Sequence, residues 1–185
     1  MLVHCAHLLA HDVEAIRAAG AHVVVCPLSS ALLRTGLPPL GLLRSEGLPL
    51  SVGTDGPATG TTLSLLDHAR FLGHLYPDVD LTAQEIATLI TTGPASALGL
   101  EQDVGSLHVG KLANALLFDE ESFYGPSTHV FEELVWGSAK VPFAVIAQGE
   151  VLIERGVFTD SALRQRLRDA RALQQLEVAA RARAV

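Results

Sequence analysis

An α/β fold on a parallel sheet, followed by a small all-β unit and a terminal helix, is what this sequence predicts. Three observations carry the prediction. Short apolar runs ending in breaker residues recur over the first third of the chain, as Leu2-Val3, His22-Val23-Val24-Val25-Cys26 and Leu50-Ser51-Val52. Such runs lack the alternation of a half-exposed strand and read as strands buried on both faces, between helices. They alternate with helical stretches, the order of right-handed βαβ units. From Gly105 the texture shifts to short β segments between turn residues, and from about Asp160 to a run rich in Ala, Leu, Arg and Gln.

Taken in order, Leu2-Val3 is too short for a whole strand, and the chain reads as starting inside an element. His11 to Gly20 is a helix with acids in its first turns and a Gly stop. The strand at His22–Cys26 is halted by Pro27, and Ser29 and Ser30 begin a loop. Leu37 to Glu46 is a short helix stopped by Gly47. The third strand ends at Asp55, whose loop leads into an amphipathic helix over about 62–75, with Leu63, Leu65, Leu66, Ala69 and Leu72 on its apolar side. Thr82-Ala83-Gln84-Glu85 is a capping box opening a helix to about Thr91, and Pro94 to Gly99 is another short helix. Ala113–Phe118, Val130–Trp136, Val141–Gln148 and Val151–Glu154 are β candidates, the last two joined by a tight turn at Gln148-Gly149 or Gly149-Glu150. In the final helix Leu163, Leu167, Ala170, Leu173 and Leu176 form a stripe expected to pack on the body. Residues 1–103, 104–158 and 159–185 are thus the expected α/β part, β unit and terminal helix. Three parallel strands rarely stand alone, so the chain is either a small open α/β fold or part of something larger.

The chain has 185 residues, 49% of them hydrophobic, and a mean hydropathy of +0.34, ample for a core. No apolar run reaches the length of a membrane span, and the first residues are not a signal peptide, so a soluble cytoplasmic protein is expected. Cys5 and Cys26 each adjoin an apolar run and read as buried free thiols. The net charge of −7 hides an asymmetry. Residues 160–185 hold six Arg against Asp160, Asp169 and Glu177, a net of +3, which leaves −10 for residues 1–159. A body that acidic is no nucleic-acid binder. The three acids of the last helix also argue against membrane binding through it.

Eight histidines prompt a search for metal ligands. His4 and Asp55 both end strands of the parallel sheet, so they fall on one rim, the rim where α/β proteins gather their chemistry. A carboxylate and an imidazole converging there suit a divalent metal or its water. The structural alternatives are an Asp that caps the next turn and a His that only packs. Two ligands do not by themselves hold a metal.

His4-Cys5-Ala6-His7-Leu8, Cys26-Pro27-Leu28-Ser29-Ser30, Gly53-Thr54-Asp55-Gly56 and Gly105-Ser106-Leu107-His108-Val109-Gly110-Lys111-Leu112-Ala113-Asn114 come in this order. Together they resemble the C-terminal part of the amidohydrolase superfamily, in the branch of cytosine, guanine and S-adenosylhomocysteine deaminases and triazine chlorohydrolases. Each string alone is unspecific; four in order over residues 2–155 are not.

The resemblance implies that the three strands are the sixth, seventh and eighth of a (β/α)8 TIM barrel, joined to a β-sandwich built from both chain ends. It implies that His4 contacts the substrate or the metal-bound water. It implies that Asp55 binds the metal, zinc or else iron, and shuttles the proton to the leaving amine. His7 falls in the pocket wall. Ser30 stands where many relatives have Asn, and Thr59-Gly60 replaces Ser-Asn, so both mark the substrate-binding rim. His11, His22, His68, His74, His108 and His129 match no family ligand and are expected on the surface or in packing.

The family's strand-one His-x-His pair, fifth-strand His and nearby acidic general acid/base are absent and would lie upstream of Met1. A fragment of a longer enzyme is therefore expected, inactive alone. The reaction implied is hydrolysis of a carbon–nitrogen bond, deamination of a purine- or nucleoside-like small molecule. The loop Gly53–Thr62 with Leu75-Tyr76-Pro77 resembles the aminodeoxyfutalosine deaminases. The alternatives are an inactive or partner-dependent half-barrel, and a chlorohydrolase or amide or imine hydrolase. A homo-oligomer is left open.

Overall fold

The structure is a computed structural model, and it describes residues 1–119, 129–137 and 141–182. The chain divides into two compact units.

The first unit holds a three-stranded parallel sheet in the order β1 (Leu2–Val3), β2 (Val23–Val25), β3 (Leu50–Val52). Val23 pairs with Leu2 on one side and Leu50 on the other, so the three strand ends stand level. The crossovers run through α1 (Ala10–Ala18), then α2 (Pro27–Leu33) and α3 (Leu40–Ser45); α4 (Leu65–Leu75), α5 (Ala83–Leu89) and α6 (Thr92–Ala97) follow β3. Val23, Val25 and Val52 are buried with Val13, Leu40, Leu43 and Leu72, which explains the unalternating strand pattern. The sheet is open among the described residues. Its β1 edge leaves Met1, Leu2 and Val3 at 63%, 41% and 45% exposure.

Two local results differ from the expectation and a third meets it. Ser29 and Ser30, expected to begin a loop, lie in α2, which Pro27 opens at its first helical position. Val130–Trp136, expected as a strand from its β-branched and aromatic residues, is helix α7. Tertiary contact decides it: Val135 is fully buried with Ala69, Ala83 and Ile86 of α4 and α5. Glu132 and Glu133 in its first turn favour that helix end. The capping box forms as read, with the Thr82 hydroxyl accepting from Glu85 N–H at 3.2 Å and Glu85 accepting from Thr82 N–H at 2.9 Å.

The second unit is a four-stranded antiparallel sheet, β4 (Ala115–Leu117), β5 (Ala144–Ala147), β6 (Glu150–Glu154) and β7 (Val157–Phe158), followed by α8 (Ser161–Ala182). Gln148-Gly149 closes the β5–β6 hairpin, both at positive φ (+52° and +84°) as a type I′ turn requires. Strand β7, which the sequence did not suggest, is added by a second such turn at Arg155-Gly156. The stripe on α8 is not buried along its described part: Leu167 is 38% exposed. The side chains of Leu173 and Leu176 lie outside the described ones. No described helix is long and apolar enough to cross a membrane.

Candidate active site at the strand ends

The level register of the parallel sheet brings the residues after each strand to one rim. His4 follows β1, Cys26 to Ser29 follow β2, and Asp55 follows β3. The backbone is strained there. His4, Cys5 and Asp55 are non-glycine residues in the left-handed region, at φ +69°, +55° and +58°. Cys5 N–H donates to Val3 C=O at 3.0 Å, closing a tight turn centred on His4. Strain of this kind concentrates where a side chain must be aimed.

Asp55 is the hub. The Ser29 hydroxyl donates to its Oδ2 at 2.5 Å, the length of a charge-assisted bond. Gly56 N–H donates to its Oδ1 at 2.8 Å. His4 Nε2 lies 3.9 Å from Oδ2, beyond hydrogen-bond reach, with the two side chains 44% and 30% exposed. The Ser29 hydroxyl first, then the Thr59 hydroxyl, hold the carboxyl below the usual carboxylate range, with the Gly56 N–H and His4 adding to this. Asp55 is therefore ionised at neutral pH. Cys26 is buried behind it, its thiol pushed up to about 11 by burial and by the Asp55 charge. Cys5 and Cys26 are both free. Buried and held protonated, the Cys26 thiol is a packing group here.

The loop after Asp55 is tied locally. Thr59 donates to Gly56 C=O at 3.1 Å and accepts from Gly56 N–H at 3.2 Å. His68 is fully buried and its Nε2 donates to Thr62 C=O at 3.0 Å, fixing the tautomer and the far end of the loop. Among the other histidines, His22 is buried, with its pKa lowered by that burial. His74 meets the Trp136 ring at 5.6 Å, and His11 and His108 contact Asp12 and Ser106.

Of the residues singled out from sequence, His4, Asp55 and Thr59 share this rim. His7 is exposed and packs against Gly36 in the α2–α3 connection. Ser30 is 2% exposed with its hydroxyl buried and unpartnered, and the hydroxyl on Asp55 is that of Ser29. Neighbours on a helix point about 100° apart, so reading Pro27 as a helix start would have separated the two serines. His68, expected on the surface or in packing, is buried and ties the loop at Thr62. An open recess of about 380 Å³ between Leu28, Thr62, Asp67, Arg70 and Phe71 borders the same loop, but neither His4 nor Asp55 lines it. Among the described residues no three His, Cys, Asp or Glu side chains group as a metal site.

Comparison with known proteins bears on this rim. The family model described as "Amidohydrolase family" matches residues 1–152. The imidazolonepropionase of Polaromonas sp. is 35% identical over 153 residues, covering 82% of this chain and 34% of that protein. The 5-methylthioadenosine/S-adenosylhomocysteine deaminase of Desulforudis audaxviator is 30% identical over 185 aligned residues, 94% of this chain and 43% of that protein. Among solved structures, an adenosine deaminase from Xanthomonas campestris with bound zinc superposes with a TM-score of 0.83 at 26% identity, over 94% of this chain and 41% of its own. The atrazine chlorohydrolase TrzN from Arthrobacter aurescens, complexed with zinc, gives 0.80 at 22% identity over 93% and 40%, a likeness of fold alone. The chain thus spans less than half the length of these relatives. Its parallel unit is part of a TIM-barrel-type fold, without a closed barrel among the described residues.

Proposed function

This chain belongs to the amidohydrolase family, and from that membership we propose that it forms part of a metal-dependent aminohydrolase, with Asp55 as metal ligand and proton carrier and His4 beside the substrate. The observation that carries the reading is the ionised, partly exposed carboxylate of Asp55 with the His4 imidazole 3.9 Å away on one rim. That donor set fits one corner of a zinc site, a hard oxygen next to a nitrogen donor. A catalytic zinc takes three protein ligands, so further ligands lie outside the described residues. Zinc, when bound, supplies a water whose pKa falls to about 7; iron is the alternative metal.

The residues of this chain would act as follows. Asp55 takes a proton from the attacking water at its carboxylate and passes it to the departing nitrogen. A carbon–oxygen bond forms, the carbon–nitrogen bond breaks and ammonia leaves. His4 Nε2, 44% exposed on its side chain, holds the ring nitrogen of the substrate or the attacking water. Thr59 and, in the adjoining wall, His7 face the substrate; Ser30 would join them only through a shift of α2 that uncovers its hydroxyl.

The substrate class is a purine- or nucleoside-like small molecule carrying an exocyclic amine, aminodeoxyfutalosine included. Relatives described as deaminases support it. A second reading, hydrolysis of a cyclic amide or imine by the same two side chains, is favoured by the 35% identity to an imidazolonepropionase. Chlorohydrolysis rests on likeness of fold alone.

A test is ammonia release from adenosine, S-adenosylhomocysteine and guanine by the zinc-treated 185-residue chain, beside Asp55→Asn. Release that the substitution abolishes supports the reading, and release that it leaves intact overturns it. A chain that keeps no zinc and releases nothing supports the alternative of an inactive remnant or a partner-dependent half-barrel.

A further inference from the structure

We infer that Ser29 is the positioning residue of the Asp55 carboxylate, a role that rests on the reading of Asp55 above. The two carboxylate oxygens are anchored differently. Oδ1 accepts from the N–H of Gly56, the next residue, at 2.8 Å. That bond lies within one turn and moves with Asp55, so it fixes nothing relative to the rest of the rim. Oδ2 accepts from Ser29 at 2.5 Å, and Ser29 stands in the first turn of α2, directly after β2. The same Oδ2 is the atom 3.9 Å from His4 Nε2, which follows β1. One hydroxyl therefore ties the end of β2 to the end of β3 at the oxygen that faces His4.

Ser29 is built for holding. It is 1% exposed, so its hydroxyl does not exchange partners with bulk water, and Ser30 N–H donates to Cys26 C=O at 3.0 Å to fix the turn it sits on. A charge-assisted bond shielded from water is stronger than its exposed counterpart. Asp55, by contrast, is a partly exposed residue in a left-handed turn, and its other partners, the Gly56 N–H and the Thr59 hydroxyl, belong to its own loop, so without Ser29 nothing ties its carboxylate to the end of β2. Catalytic groups lose much of their effect when misplaced by about 1 Å, which makes such an anchor matter beyond its own energy.

The test is the side-chain conformation of Asp55 in solution, read from its Hα–Hβ and N–Hβ couplings in the full 185-residue chain with labelled aspartate. One rotamer is expected in the wild type, averaged couplings in Ser29→Ala, and a return to one rotamer in Ser29→Thr, which keeps the hydroxyl. A merely structural serine would change the melting temperature without this pattern. Should Ala unfold the chain, Ser29→Cys keeps the volume with a weak S–H donor, and the same averaging is expected. Couplings of a single rotamer in Ser29→Ala or Ser29→Cys overturn the inference. Added cobalt(II) separates this from the metal reading: selective broadening of Asp55 and His4 signals supports that reading, and none counts against it while the couplings still decide Ser29.

Discussion

The indole of Trp136 lies on the backbone of Gly73, so close that a Cβ there would sit 2.2 Å from its Cη2. This contact, with Val135 buried beneath it, is how α7 docks on α4.

Gly73→Ala should therefore destabilise the first unit. Alanine favours a helix by about 1 kcal/mol over glycine, but overpacking against the ring costs roughly 1–3 kcal/mol. In a Trp136→Leu background the same substitution should become neutral or stabilising, a sign reversal that a double-mutant cycle reads. Trp136 is the one tryptophan of the chain, so its fluorescence reports the contact in the single variant.

The Thr82–Glu85 box gives a pH-dependent prediction. The backbone N–H of Thr82 first, then Arg44, bring the Glu85 carboxyl down to about 2 from an ordinary value of 4.5. A depressed native pKa stabilises fully above the unfolded value and is lost as pH falls through the folded one. Glu85→Gln should flatten the fall in melting temperature between about pH 4.5 and 2, and Thr82→Ala should cost about 1 kcal/mol at pH 7. Glu85 is 42% exposed, so added salt should shrink the Arg44 share.

Gln148 occupies the left-handed first position of the β5–β6 turn, at φ +52°. Asn-Gly is the preferred pair for that turn. Gln148→Asn should raise the stability of the second unit by roughly 0.5–1 kcal/mol, since asparagine visits this region at lower strain. A melting temperature that does not rise would show the turn to be held by its flanking pairs instead.

Legibility in the sequence followed the physics of each element. The parallel strands were readable because Val23, Val25 and Val52 are buried on both faces and so show no alternation. The β5–β6 turn and the capping box were readable because their requirements are local. Helix α7 was not, because β-branched and aromatic residues sit in it for contacts with α4 and α5, distant in sequence. At the rim, His4 and Asp55 were visible as strand-end residues, while Ser29 required knowing that Pro27 opens a helix. The exposure of the α8 stripe was not legible either, since a repeat of leucines records an apolar face and not what covers it.

Asp55 itself offers the sharpest separation of fold from chemistry. Its backbone is left-handed at φ +58°, a conformation that asparagine and aspartate tolerate and alanine does not. Asp55→Asn should keep the turn, because its amide oxygen still accepts from Gly56 N–H while its amide NH2, in the place of Oδ2, donates to the Ser29 hydroxyl oxygen instead. Asp55→Ala should lose both bonds and strain the backbone, costing roughly 1–2 kcal/mol. An uncharged amide is a poorer metal ligand and no proton acceptor. Asp55→Asn should therefore melt close to the wild type yet lose any zinc retention and ammonia release, whereas Asp55→Ala loses stability as well. Equal melting temperatures for the two variants would show that the turn does not depend on this side chain, and zinc retained by Asp55→Asn would remove Asp55 from the ligand set.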